Sequence, residues 1–209
     1  MLGIHHYLLF VTTGILLNLT PGQDTFFILG RSIAEGTKNG VASALGISVG
    51  SLIHTVMAAL GLSAVLATSA AAFTAVKLIG AAYLVYLGGR MLFSKTSPQL
   101  QMQTSGQAGA NGAFRAGILT NVFNPKVALF FLAFMPQFIE PASTTKVQAF
   151  ILLGLTFVAT GTVWCLTLAL AAGKLRNFFV RHPSGWQWLS RAVGGVFVFL
   201  GLRLATSRN

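Results

Sequence analysis

The sequence is poor in acidic residues, in cysteine and in charge as a whole. Aspartate and glutamate together number 3, and charged residues of all kinds make up 8% of the chain, against about 25% in a typical soluble domain. Three acids make a pair of catalytic carboxylates implausible. A single cysteine excludes an intramolecular disulfide, a CxxC redox pair and a multi-cysteine metal site. There is no glycine-rich phosphate loop that ends in Gly-Lys-Ser/Thr, so we expect neither an enzyme nor a bound cofactor.

The chain has several long apolar segments. Hydrophobic residues make up 54% of the sequence, and the polar side chains that remain are too few to cover a water-soluble globule. A membrane-spanning helix needs about 20 apolar residues. Six segments reach that length: residues 7–29, 40–66, 71–93, 114–139, 147–173 and 189–205. The sequence therefore predicts an all-α integral membrane protein with six transmembrane helices.

The longest polar stretch divides these helices into two groups of three. Residues 94–112 are rich in Gln, Ser and Gly, which predicts a flexible cytoplasmic linker between a first three-helix repeat, 1–93, and a second, 113–209. Of the 14 basic residues, nine lie on one side of the membrane if the six spans alternate, and three lie on the other. The nine-base side is expected to be cytoplasmic. Because these bases are spread between apolar runs and do not form one patch, we do not expect a nucleic-acid partner.

The two halves share a sequence pattern around a proline. Gly-Ile-Leu-x-Asn occurs at 14–18 and again at 117–121, and Pro21 or Pro125 follows within a few residues. An odd number of helices in each half inverts the second half relative to the first. Proline-interrupted helices at matching places in two inverted repeats indicate the binding site of a secondary transporter.

Each proline should break its helix. Pro21 and Pro125 remove a helical hydrogen bond and clash with the preceding turn, and Gly22 loosens the first break further. Thr20 and Asn124 directly precede the prolines, where N-cap residues of new half-helices are expected. The alternative is that both prolines only kink their helices for packing.

Two charges lie beside these breaks. Asp24 is the only acid well inside an apolar segment, and a charge near the bilayer centre costs about 2.5–3.5 kcal/mol on insertion scales. Lys126 follows Pro125, at the positive end of a half-helix, where a cation is unfavourable unless an anion compensates it. That anion could be Asp24, in a permanent structural pair, or the carboxylate of a substrate. Asp24 could alternatively only offset a helix dipole. Asn18 and Asn121 would add hydrogen bonds to a substrate.

Two further polar residues have two interpretations each. His54 continues a stripe of small residues in the second predicted helix, which includes Gly46 and Gly50. A packing histidine is the favoured interpretation, and a proton relay with Asp24 is the other. Lys77 can extend to the membrane surface or, with Tyr83, form an outer gate. The histidines show no metal-ligand spacing.

Taken in order, these motifs resemble those of the LysE-type amino-acid exporters, specifically the homoserine/threonine-resistance branch. The resemblance covers nearly the whole chain and rests on residues 20–27, 46–54, 77–84, 121–127 and 134–139. In the first break the family usually has Pro-Gly-Pro, whereas this chain has Pro21-Gly22-Gln23. The different third residue softens the break and bears on substrate choice.

The resemblance implies a multi-pass bacterial inner-membrane protein that exports amino acids of the homoserine, threonine or leucine kind. It also implies that the proton-motive force drives export and that the protein forms a homodimer. On this hypothesis Lys126 and the half-helix amides, with Thr20 and Asn124 at the breaks, hold the substrate carboxylate. Asp24 faces the ammonium group, and its protonation couples transport to protons. The rival hypotheses are an ion or metal transporter and a non-transporting membrane scaffold or assembly protein.

Overall fold

The computed structural model of the chain describes residues 2–62 and 109–181, together with isolated positions between 78 and 93 and between 191 and 202. The predicted helices 71–93 and 189–205 contain only such isolated positions, and each of these is helical. Lys77, Tyr83 and residues 94–108 of the predicted linker lie outside the described residues.

The described part of the chain is built of helices. In chain order they are α1 (Tyr7–Leu19), α2 (Gln23–Glu35), α3 (Thr37–Met57), α4 (Gly109–Val122), α5 (Pro125–Leu129) and α6 (Lys146–Arg181). A π-helical turn, Ala58–Leu62, prolongs α3. A π-helical turn, Phe130–Phe134, and a 3₁₀ turn, Met135–Phe138, prolong α5. Within residues 2–62 and 109–181, the one β-type pairing is an isolated bridge between Ile4 and Ile139.

Two described helices are long and apolar enough to cross a membrane. They are Thr37–Leu62, with a mean hydropathy of 1.7, and Lys146–Ala172, with a mean hydropathy of 2.0. The pair Gly109–Val122 and Pro125–Phe138 makes a third crossing if it is counted as one broken span, bent by 47°. The all-helical architecture is therefore confirmed for the described part of the chain, which has two apolar spans, or three if the pair broken at the predicted proline is counted as one.

Helices α2 and α4 depart from the predicted boundaries. Helix α2 continues to Glu35, past the predicted end at residue 29. Arg31 therefore lies in this helix and not in a loop as expected. Arg31 is buried, forms an ion pair with Glu35 one turn later and lies 5.4 Å over the ring of Phe27. Helix α4 begins at Gly109, inside the predicted linker.

Helix α6 is longer than the span predicted for it. It runs for 36 residues to Arg181, through basic positions that the sequence placed in a loop. At about 1.5 Å per residue it exceeds a hydrocarbon core of about 30 Å. Its last turns carry Lys174, Arg176 and Arg181, so we expect the basic end of the helix to extend beyond the membrane interior.

Glycines set the distance between α3 and α4. A Cβ atom on Gly46 would overlap the carbonyl oxygen of Phe114, and one on Gly117 would overlap the carbonyl oxygen of Ser43. Each helix therefore supplies a glycine that receives the backbone of the other. This is the close approach that the stripe of small residues predicts, and it brings α4 directly against the middle of α3.

Two apolar clusters lie on either side of a polar region along α6. One is aromatic and includes the stacked rings of Phe130 and Phe157, 4.5 Å apart, with Phe10 and Phe134 beside them. The other gathers aliphatic residues of α2, α3 and the later part of α6: Ile28, Leu29, Ile47, Leu168 and Ala169. The part of α6 between Phe157 and Leu168 faces both breaks, and the candidate site lies there.

Candidate functional site

The first helix break lies between Leu19 and Gln23, as the sequence predicts. Thr20 is not the N-cap of the second half-helix, which was its predicted role. It is the C-cap of α1: its backbone N–H and its hydroxyl both donate to the carbonyl oxygen of Leu16, the hydroxyl at 2.7 Å. The N-cap of α2 is Gly22, which has no side chain to offer. A threonine hydroxyl commonly donates to the carbonyl four residues back, and this contact decides the role of Thr20.

The second break matches its prediction. Asn124 is the N-cap of α5, and its Oδ1 accepts a hydrogen bond of 3.0 Å from the backbone N–H of Lys126. Pro125 occupies the first helical position, where the missing N–H costs nothing. The next two amides, of Val127 and Ala128, donate to the carbonyl oxygen of Asn124 at 3.1 and 3.0 Å. These amides are therefore already paired.

Lys126 joins the two breaks. Its Nζ donates to the carbonyl oxygens of Leu17, at 3.1 Å, and Thr20, at 2.9 Å. These carbonyls belong to the last turn of α1, the negative end of that helix. Gly22 makes room for this contact, because a Cβ there would lie 3.2 Å from the lysine Nζ. The charge of Lys126 is thus compensated by the end of another half-helix.

Asp24 is not the direct partner of Lys126. Among the described residues no ion pair joins the two. Instead, Oδ2 of Asp24 accepts a hydrogen bond of 2.8 Å from Nδ2 of Asn121. The other oxygen, Oδ1, is buried and has no hydrogen-bond partner in the described part of the chain. Lys126 and His54 contribute to the electrostatic environment of this carboxylate, and so does the side-chain amide of Asn124, whose Nδ2 is also buried without a partner among the described residues.

Asn121, near the end of α4, is the hydrogen-bond partner of Asp24 in α2. Its side chain is fully buried, and its Oδ1 accepts a hydrogen bond of 3.2 Å from the hydroxyl of Ser51. Its backbone carbonyl lies 3.3 Å from Nε2 of His54. A Cβ on Gly50 would lie 2.7 Å from Cβ of Asn121, so this position of Asn121 requires glycine at residue 50.

His54 has no direct hydrogen bond to Asp24 among the described residues and contacts Asn121, the partner of Asp24. Its ring stacks on Phe131 with centroids 5.5 Å apart, and the Asn121 contact places an amide residue between it and Asp24. The geometry matches the packing interpretation of this histidine. An amide side chain does not titrate, so a proton route from His54 to Asp24 would need another carrier.

A small cavity lies between the breaks and α6. Four of the predicted site residues line it: Asn18, Asp24, Asn121 and Lys126. Two other predicted residues, Thr20 and Asn124, are buried beside it and shape the breaks. The cavity has a volume of about 30 Å³, which is room for about two water molecules.

Helices α3 and α6 supply the lining residues that sequence reasoning missed. They include Ser48, Ser51, Thr162, Trp164 and Cys165. The polar residues of 160–165 interrupt an apolar span, and that interruption was the signal available in the sequence. The hydroxyls of Thr162 and Ser48 are hydrogen bonded to each other at 2.7 Å. The Nε1 of Trp164 is buried and has no partner among the described residues.

Comparison with known proteins gives the family. The family model described as LysE type translocator matches residues 15–208 of the chain. The chain belongs to the LysE family. As a LysE-type translocator it is a multi-pass transporter of the bacterial inner membrane, and it is not an enzyme.

Relatives match over nearly the full length. A leucine efflux protein of Klebsiella pneumoniae is 28% identical over 207 residues, which cover 99% of this chain and 98% of the relative. A homoserine/homoserine lactone efflux protein of Salmonella typhimurium is 31% identical over 201 residues, 96% of either chain. A membrane protein of Vibrio cholerae is 31% identical over 207 residues, 99% of this chain and 100% of the relative. No solved structure matches the chain.

Proposed function

We propose that this LysE-type translocator exports amino acids with uncharged side chains across the inner membrane. The observation that carries the proposal is the free Oδ1 of Asp24, a buried carboxylate oxygen without a partner in the described residues, in a cavity shared with Lys126. A buried carboxylate oxygen normally has a partner, and an ammonium group is the partner that fits its charge. Efflux of leucine and of homoserine is what the names of two relatives describe.

Lys126 is the group that takes the substrate carboxylate in this proposal. An ammonium has three N–H donors, and Leu17 and Thr20 accept two of them, which leaves one. The amides that open α5 are occupied by Asn124. The expected contribution of half-helix amides at this break is therefore replaced by the lysine side chain.

The acid count argues for an uncharged substrate side chain. The chain has three acids: Asp24 faces the ammonium group, Glu35 pairs with Arg31, and Glu140 is exposed at the end of the 3₁₀ turn. A lysine-like substrate would have no second carboxylate to bind. Apolar side chains line part of the cavity, among them Ile47, Val127, Phe157 and Val158, and they suit an aliphatic substrate.

Asp24 also gives this proposal its coupling step. A carboxylate that alternately binds a proton and a substrate ammonium links the two, so the proton-motive force can drive export. Asn121 keeps Oδ2 occupied and thereby leaves Oδ1 as the exchanging atom. The proposal includes six spans in two inverted three-helix repeats and a homodimer, as the family resemblance implies.

The two rivals receive less support. An ion or metal transporter would need a cluster of ligating side chains, and the described residues hold no group of three or more His, Cys, Asp or Glu that could bind a metal ion. A scaffold explains the close glycine packing of α3 and α4 but gives no role to a free buried carboxylate oxygen.

The test is efflux from cells loaded with a panel of labelled amino acids, with and without an uncoupler. We expect uncoupler-sensitive efflux of leucine, homoserine or another uncharged amino acid, and its loss in Asp24→Asn, which keeps the shape and removes the charge. Glu140→Gln makes the same chemical change outside the cavity and should transport normally. Full efflux in a correctly inserted Asp24→Asn protein would contradict the role of Asp24. Efflux of metal ions in place of amino acids would favour the first rival.

A further inference from the structure

Trp164 carries the second unpartnered polar atom of the cavity. It lies on α6 beside Cys165, and both residues line the cavity with Asp24 and Lys126. Its Nε1 is buried without a hydrogen-bond partner in the described residues. An indole N–H is a donor only, and when buried it usually has an acceptor. Among the described lining residues, the cavity therefore has a buried acceptor without a partner, on Asp24, and a buried donor without a partner, on Trp164.

We propose that the indole N–H of Trp164 donates a hydrogen bond to a carboxyl oxygen of the substrate and so selects molecules with that oxygen beside an ammonium group. The proposal rests on the proposed function and assigns a specificity-determining residue to the same site. An amino-acid zwitterion has an ammonium donor and a carboxylate acceptor. These are the complements of the free Asp24 oxygen and the free Trp164 N–H.

Other polar groups of the cavity already have hydrogen-bond partners, and this distinguishes them from the indole. Lys126 spends two of its three N–H groups on α1, so it offers one hydrogen bond to a carboxylate that has two oxygens. The hydroxyls of Ser48 and Thr162 are bonded to each other. The hydroxyl of Ser51 donates to Asn121. Among the described residues that line the cavity, Trp164 is the one with a buried side-chain nitrogen that has no hydrogen-bond partner at all.

A substitution that removes only the N–H of Trp164 distinguishes a hydrogen-bonding role from that of an apolar wall. A wall requires only the ring, and phenylalanine provides a ring without the N–H. The proposal predicts an effect of the N–H alone, and only on substrates that carry a carboxyl group. Leucine and 3-methylbutylamine form a matched pair of probes, because the amine is leucine without its carboxyl group.

The experiment measures dissociation constants of both probes for the purified full chain in detergent, by equilibrium binding. We expect Trp164→Phe to raise the dissociation constant of leucine at least tenfold and to leave that of 3-methylbutylamine unchanged. Placing β-(3-benzothienyl)alanine at residue 164, which exchanges the N–H for sulfur at nearly constant shape, should reproduce the effect. If the phenylalanine variant fails to fold, this isostere still tests whether the N–H of Trp164 contributes to leucine binding.

The outcomes separate the two proposals. Unchanged leucine binding in both variants would overturn the role of Trp164 while leaving the proposed function intact. An equal loss for leucine and the amine would also overturn it, because a wall affects both probes. If the unaltered protein binds and exports no amino acid, the proposed function itself fails. A third readout is the fluorescence of Trp164 in the Trp186→Phe, Trp188→Phe background, which should shift to longer wavelength when leucine binds.

Discussion

The two oxygens of Asp24 have different environments, and a single residue accounts for the difference. Asn121 donates to Oδ2 at 2.8 Å, while Oδ1 is left without a partner in the described residues. The Oδ1 of Asn121 itself accepts a hydrogen bond from Ser51, so the side chain cannot turn away from the carboxylate without losing this bond. This arrangement directs one oxygen of Asp24 toward exchangeable partners.

Gly50 is the residue on which the position of Asn121 depends, and Gly50→Ala tests it. The added Cβ would lie 2.7 Å from Cβ and 2.8 Å from Oδ1 of Asn121, closer than nonbonded carbon atoms approach. We expect Asn121 to be displaced, its bond to Asp24 to break and efflux to fall at least tenfold. Overpacking of this kind also destabilises a protein by about 1–3 kcal/mol. Efflux and thermal unfolding of the purified protein measure the two effects.

Gly30→Ala is the matched control for that substitution. Gly30 is in the interior of α2, and a Cβ there meets none of the described residues within 4 Å. This variant should transport normally. Equal efflux by the two alanine variants would show that the close approach of Gly50 to Asn121 has no part in transport.

The charged residues of the site could be predicted from the sequence, and the uncharged ones mostly could not. Asp24 and Lys126 stand out because charge inside an apolar span is costly. Trp164 and Ser51 do not stand out, since both residue types are common in membrane helices and their presence at the cavity depends on how α3 and α6 pack. That packing is a long-range property which no local pattern reports.

At the two helix breaks, similar sequences produce different caps. Asn124 accepts from the amide two residues later and begins α5, whereas Thr20 donates to the carbonyl four residues earlier and ends α1. An amide oxygen can only accept, while a hydroxyl can also donate. The location of both breaks follows from proline and could be predicted. The direction of each cap depends on the hydrogen-bonding chemistry of the residue before the proline.

Lys126→Met tests whether the lysine stabilises the end of α1. The variant keeps the apolar part of the side chain and removes the ammonium, leaving the carbonyls of Leu17 and Thr20 without this donor. A lost hydrogen bond from a charged donor costs about 1.5–3 kcal/mol. For a chain of this size such a loss lowers the melting temperature by several degrees. Circular dichroism during heating in detergent measures the shift, and efflux should be lost as well.

Lys38→Met is the control for the lysine substitution. Lys38 is exposed in the first turn of α3, so its removal should leave both melting temperature and efflux unchanged. A Lys126→Met protein with an unaltered melting temperature would show that the contact with α1 contributes no net stability. Lost efflux at unaltered stability would then assign Lys126 to substrate binding alone.

Taken as a whole, the described molecule has a small site and two distinct ends. An amino acid is larger than the two water molecules that a cavity of about 30 Å³ can hold, so the site must widen to bind one. At one end, residues 2–6 pair with the end of the second broken span: the N–H of His5 donates to Phe138 at 3.0 Å, and that of Glu140 donates to Gly3 at 2.8 Å. At the other end, Ile33 of α2 and Val41 of α3 pack against the cluster that includes Ala172 of α6.

An exporter must release its substrate at the end that faces the outside of the cell. The loop charges predict which of the two ends this is. The side with nine basic residues should be cytoplasmic, which places the end formed by residues 2–6 and 140–145 outside. Thr144 and Lys38 are exposed at opposite ends. In a Cys165→Ser background, which removes the single cysteine, Thr144→Cys should react with a membrane-impermeant maleimide in intact spheroplasts. Lys38→Cys should react only after the membrane is permeabilised. The reverse labelling pattern would place the nine basic residues outside. It would contradict the predicted orientation and the assignment of residues 2–6 to the release side.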